Sequence, residues 1–161
     1  MTEEELFAQL MFIRNRTLSM LDATDEKFLD EQPDGFNNNI RWNLGHIFVA
    51  QEKRIHNVLG AEPEMPANFF ESFNRGTSPS DWGSNVPTLI EIRKHLSDQP
   101  HRMKEKLTGR TKDLGVEPFD VTEDYSMKKI EEVVHFMIWH EGLHQGVIIG
   151  LKHAHGDKNL F

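Results

Sequence analysis

SMKKIEEVVHFMIWHEGLHQGVIIGLKHA, residues 126–154, decides the fold of this chain. Ile130, Val133, Met137, His140, His144, Val147, Ile148 and Leu151 recur at three- and four-residue spacing, which lays them along one stripe of a long α-helix. Two members of that stripe are histidines. His140 and His144 bracket the segment HEGLH and stand one helical turn apart, so both imidazoles can reach a single metal ion. Buried imidazoles need partners for their ring nitrogens, and these are either neighbouring polar groups or a metal.

Upstream, the same period appears three more times. A first helix is predicted from Glu3 to Leu21, with Thr2 and Glu5 as a capping box and Leu6, Leu10, Met11, Arg14, Thr17, Leu18 and Leu21 in phase. A second runs from Ile40 to Leu59 and stops at Gly60. A third runs from Thr88 to Leu107, capped by Thr88 and Glu91, and keeps phase across Pro100 as one kinked helix. The fourth is the quoted stretch. Strand signals are nearly absent, and Asp22–Asn39 and Gly109–Asp124 read as irregular connections. The expected fold is all-α, one four-helix-bundle domain over residues 1–161 with a long loop between helices 2 and 3.

That long loop, Ala61 to Val86, is broken by prolines and glycines and enriched in Phe69, Phe70, Phe73 and Trp82. Its aromatics either plug one end of the bundle or line a pocket.

Composition removes several functions. A formal net charge of -8 opposes a nucleic-acid surface and docking on an anionic membrane. There is no cysteine, which excludes disulfides, thiolate zinc sites and a cysteine nucleophile, so a metal must be held by His, Asp or Glu. The opening MTEEELFAQL lacks a signal-peptide pattern, and no apolar run is long enough to cross a membrane, so a cytoplasmic protein is expected.

HExxH often marks zinc proteases, but this chain resists that reading. No Glu follows Glu141 to serve as a downstream ligand, and Val147 and Gly150 stand where the extended protease motif needs Gly and His. Asp157 is the one downstream alternative, in the tail. A protease also wants an edge strand for its peptide, and none is expected. The third ligand is therefore sought upstream. His46, in NLGHI, lies beside Trp42, Val49 and Ala50 on the second face of a helix that is apolar nearly all round. It is either a core histidine or the missing ligand. Gly45 beside it would let another element approach closely. Glu141 is a candidate general base, or a plain carboxylate next to the ligands. His135 turns away from the ligand face, His56, His95 and His101 form no group, and Arg75 is a loop arginine able to meet an anion.

Trp42 to His46 (W-x-x-x-H) and His140, His144 and Gly146 (H-x-x-x-H-x-G) make the chain resemble the DinB-like (YfiT-type) metal-binding four-helix proteins. The resemblance extends to helix count, order and the long second loop. Gln145 and Val147 stand where that family commonly has Arg and Gln. The resemblance implies His46, His140 and His144 on a divalent ion, zinc or nickel, with other positions open to substrate. It implies an enzyme that transfers a low-molecular-weight thiol, such as bacillithiol or mycothiol, to an electrophile. A metal-dependent hydrolase and a non-catalytic metal- or ligand-binding bundle are the alternatives. It further implies a small-molecule substrate, no nucleic acid or membrane partner, and a homodimer.

Overall fold

The computed structural model describes residues 1–161. The chain is mostly helical, with five helices and one small sheet. In order these are α1 (Glu3–Asp22), α2 (Ile40–Leu59), α3 (Ala67–Phe73), α4 (Leu89–Leu107), strands β1 (Leu114–Thr122) and β2 (Tyr125–Lys129), and α5 (Ile130–Ala154). No helix is long and apolar enough to cross a membrane.

The caps explain the helix ends. Thr2 with Glu5 and Thr88 with Glu91 form reciprocal capping boxes at α1 and α4. α2 starts on the Asn39 side chain, which accepts from the Trp42 N–H, and ends at Gly60 with φ +66°, a left-handed cap that disfavours a side chain. α4 runs through Pro100 as one helix.

α1 and α2 each pack against both α4 and α5. The apolar core is split into two clusters. One gathers Met20, Ile40, Leu44, Phe48, Phe69, Phe73, Ile92, Leu96, Ile148 and Leu151. The other gathers Leu6, Leu10, Ile55, Val58, Met103, Leu107, Ile130 and Val133. On every long helix, buried polar residues fall between the two. Arg14 donates to both Glu141 carboxylate oxygens (Nε–Oε1 2.9 Å, Nη2–Oε2 3.0 Å), to Gln51 Oε1 (2.6 Å), to Gln99 Oε1 (3.1 Å) and to the Leu96 carbonyl (2.7 Å). Gln99 passes the chain of bonds to Glu52 Oε2 (2.7 Å). One buried guanidinium thus ties all four long helices together. Because every member has a partner, the layer avoids the cost of an orphaned buried charge.

Two expectations are corrected. Gly109–Asp124 is no irregular connection, since its second half enters an antiparallel hairpin in which Thr122 pairs with Tyr125 and Phe119 with Met127. The hairpin also takes Ser126–Lys129, so α5 begins at Ile130 rather than Ser126. Its pattern is hard to read because β1 is exposed at most positions, contains Pro118 and has two register irregularities. Its turn, Glu123–Asp124, lacks the Gly that usually marks a tight hairpin. The hairpin lies on α2 through Gly115, where a Cβ would stand 2.2 Å from Val58 Cγ2. With strands present, the missing-strand argument against a protease falls; the missing downstream ligands still stand against it. Second, the long loop carries the short helix α3, and Phe69 and Phe73 on it are fully buried in the larger core cluster.

Candidate metal centre

His46 comes from the middle of α2, His140 and His144 from the middle of α5. Their packing brings the three imidazoles together, with ring centroids 5.4 Å (46–140), 4.8 Å (46–144) and 4.6 Å (140–144) apart. One nitrogen from each ring lies within 4.8 Å of the others. A tetrahedral ion with ligands at about 2.1 Å would ask for an edge of roughly 3.4 Å.

The surroundings fix two of the rings. His46 Nδ1–H donates to the Phe73 carbonyl at 2.7 Å, and His144 Nδ1–H donates to Asn43 Oδ1 at 2.8 Å. Each bond selects the tautomer whose Nε2 carries the free lone pair, the arrangement that metal-binding histidines commonly show. Gly45 makes the first bond possible: a Cβ there would sit 2.4 Å from the Phe73 ring. The close approach expected at Gly45 is therefore that of α3. Trp42 stacks on His46 at 4.5 Å, nearly parallel, and its indole N–H is held by Thr77 Oγ1 at 2.9 Å.

Burial sets the charge state. It pushes the His46 pKa down, with Lys53 adding to the effect against a counteracting bond to the Phe73 carbonyl. Burial, then His46 and Arg54, push His140 down to about 4; burial, then His140 and His46, push His144 down to about 3. All three rings are neutral near pH 7, as a cation requires. His140 Nδ1 is buried without a partner. Three neutral imidazoles with spare lone pairs and no carboxylate among them are a donor set that fits a divalent metal ion.

His46 and His140 line a cleft of about 1040 Å³ together with Trp42, Phe119, Phe136 and the stretch Asn74–Ser78; His144 is not part of that lining. The loop's two roles thus separate. Phe69 and Phe73 plug the core, and the residues after α3 face the cleft.

Glu141 is placed elsewhere. Its Oε1 accepts from Arg14 and from Thr17 Oγ1 (2.6 Å), its Oε2 from Arg14, and it does not line the cleft. Gln145 bonds the Ile13 carbonyl and Thr17 Oγ1, both at 2.9 Å, and so ties α5 to α1. Asp157 pairs with the buried Lys152 at 3.2 Å rather than joining the histidines, which also anchors the tail. His56, expected to stand alone, is grouped with Glu52 and Glu64. What the sequence reading missed was Arg54 and Lys53 on the cleft wall. The available signal was their place about two turns beyond His46 on α2.

A family model described as the DinB superfamily matches residues 9–148. No curated protein matches the chain.

Proposed function

The chain belongs to the DinB superfamily, a metal-binding group, and from that premise we propose that it is a metal-dependent enzyme acting on a small molecule. Its ion, zinc or nickel, is held by His46, His140 and His144. Its reaction is the transfer of a low-molecular-weight thiol to an electrophile, as the YfiT-type members of the family suggest. One observation carries the reading: three neutral imidazoles, two of them on the wall of an open cleft, meet without any acid to satisfy them. A divalent ion bound there would make a thiol or water acidic enough to react near neutral pH.

The chain's own groups supply the rest. Asn43 and the Phe73 carbonyl orient the ligand rings, and Trp42 walls the site on one side. The cleft volume stands at the upper end for small-molecule sites. With no cysteine in the chain, the thiol arrives as cosubstrate. Glu141, with both oxygens occupied by Arg14 and Thr17, holds the fold rather than a proton in flight. We read the four long helices as one DinB-type four-helix-bundle domain over residues 1–161 and place it in the cytoplasm. Trp139, Leu143 and Val147 follow one another at four-residue spacing on the exposed side of α5, with Phe12 exposed on adjacent α1; we assign this apolar surface to a homodimer contact.

The test is to load the purified protein with zinc or nickel and incubate it with bacillithiol or mycothiol and a model electrophile, following conjugate by mass spectrometry. Metal-dependent conjugation above the uncatalysed rate, lost in His144→Ala, is the expected result. No such conjugate in either metal form would overturn the transferase reading. Metal-dependent ester or amide cleavage in the same samples would establish the hydrolase instead.

A further inference from the structure

Three cations, Lys53, Arg54 and Arg75, line the cleft beside the triad against one carboxylate, Asp120. The chain as a whole carries a formal charge of -8, so this wall runs against its own surface. Arg14, Arg41, Arg93, Arg102 and Arg110 each meet a carboxylate at 3.7 Å or closer. Lys53, Arg54 and Arg75 meet none within ion-pair distance. Arg54 lies instead over the Phe119 ring of the hairpin (4.1 Å), and Lys53 over the Phe70 ring (4.9 Å) with one long bond to Asn74 Oδ1 (3.3 Å).

Lys53 and Arg54 are half-buried and Arg75 is exposed; half-buried like charges without an acid are costly unless something anionic completes them. Burial and the neighbouring Arg75 hold the Arg54 pKa below its ordinary value, so these two guanidinium groups already oppose one another. Lys53 and Arg54 line the same cleft wall as His46 and His140. The guanidinium fork is the side chain best matched to a planar or tetrahedral oxyanion.

We propose that the cleft selects an anionic small molecule, whose carboxylate or phosphate group is held by Arg54 and Arg75 with Lys53 while its reacting end lies at the triad. This rests on the cleft being the substrate site, but not on thiol transfer being the reaction. Cation positions explain the preference: Arg54 and Lys53 leave α2 about two turns beyond His46, and Arg75 lies two residues past the end of α3, whose Phe73 carbonyl holds His46. The anion subsite thus shares α2 with one ligand, His46, and adjoins the α3 end that orients that ring, while His140 and His144 come from α5.

The experiment is calorimetric titration of the full-length protein with succinate, inorganic phosphate and the neutral analogue succinamide, at low and high salt. One or both anions should bind at least about tenfold tighter than succinamide, the worth of one charge-assisted hydrogen bond, and weaken as salt rises. The tighter of the two names the oxyanion as carboxylate or phosphate. Arg75→Gln, on an exposed loop where folding is not at stake, should lose about tenfold in anion affinity and nothing in metal content. Arg54→Lys should keep most of the affinity that Arg54→Gln loses. Equal binding of succinate and succinamide, no measurable binding of either anion, or unchanged affinity in Arg75→Gln overturns the subsite and leaves the metal reading standing. Anion binding without thiol transfer does the reverse.

Discussion

Metal-type ligands meet twice in this molecule, as His46, His140 and His144 beside the cleft and as Glu52, His56 and Glu64 between α2 and the segment before α3. By proximity alone the two groups are alike. In the second, however, the protein has already supplied the positive charge. Arg102 makes two 3.1 Å bonds to the Glu52 carboxylate, Gln99 adds a third, and Lys106 meets Glu64 at 2.6 Å. Only His56 Nε2 is left without a partner. In the first group there is no acid and no internal cation within bonding distance, and two rings are held through Nδ1 so that each keeps a free Nε2. The lesson is that clustering of donors does not define a metal site; the charge and lone pairs that the fold leaves uncompensated do.

That contrast can be broken experimentally. The largest effect is expected at Glu52→Ala, which removes three bonds from Arg102 and Gln99 to a fully buried carboxylate and should lower unfolding free energy by about 3 kcal/mol, read from denaturant midpoints. Bound metal per chain should stay the same; a loss of metal in this variant would erase the distinction. Gly45→Ala comes next. Its methyl group meets the Phe73 ring at 2.4 Å, and the overpacking should cost about 2 kcal/mol. Displacing Phe73 also moves the carbonyl that holds His46, so metal affinity should fall with stability; a variant that loses only stability would show that the Phe73 bond does not serve the site. Asn43→Ala removes the acceptor for His144 Nδ1–H and should weaken metal binding about tenfold, by competition with a chelating dye.

The smallest effect concerns pH. Buried neutral histidines have folded pKa values near 4 and 3 against 6.5 for a free imidazole, so protons compete for the ligands only well below 6.5. Metal retention is expected to persist at pH 6, and a release midpoint at or above 6.5 would contradict the burial argument. For the metal-free fold the linkage is set by the same depressed values. The unfolded chain takes up protons that the folded one refuses, so these histidines leave stability unchanged above 6.5 and lower it as pH falls from there towards 4.

Periodicity made the helices readable because each long helix buries one stripe, and the capping boxes at Thr2 and Thr88 were visible as Thr-x-x-Glu before an apolar run. The grouping of His46 with His140 and His144 was legible for the same reason: a histidine on an otherwise apolar face needs a partner. The hairpin was not, since an exposed strand with Pro118 and irregular register carries no alternation. Glu141 drew attention through its place in HEGLH, yet one step along a helix turns a side chain by about 100°, and that turn takes it to Arg14. Arg14, Thr17 and Gln51 stood in apolar stripes in the sequence, which was the available sign of a polar layer inside the core. Arg75 was noted as able to meet an anion, but its meeting with Lys53 and Arg54 was not legible, because it reaches the cleft from a loop and no local pattern says which loop faces which helix.

The most direct measurement is elemental analysis of metal per chain, on untagged protein, for the natural sequence and for His46→Ala, His140→Ala, His144→Ala and His56→Ala. The account predicts one ion per chain in the natural protein and in His56→Ala, and a large loss in each of the other three. Unchanged metal content in all of the triad variants, or loss confined to His56→Ala, would contradict it.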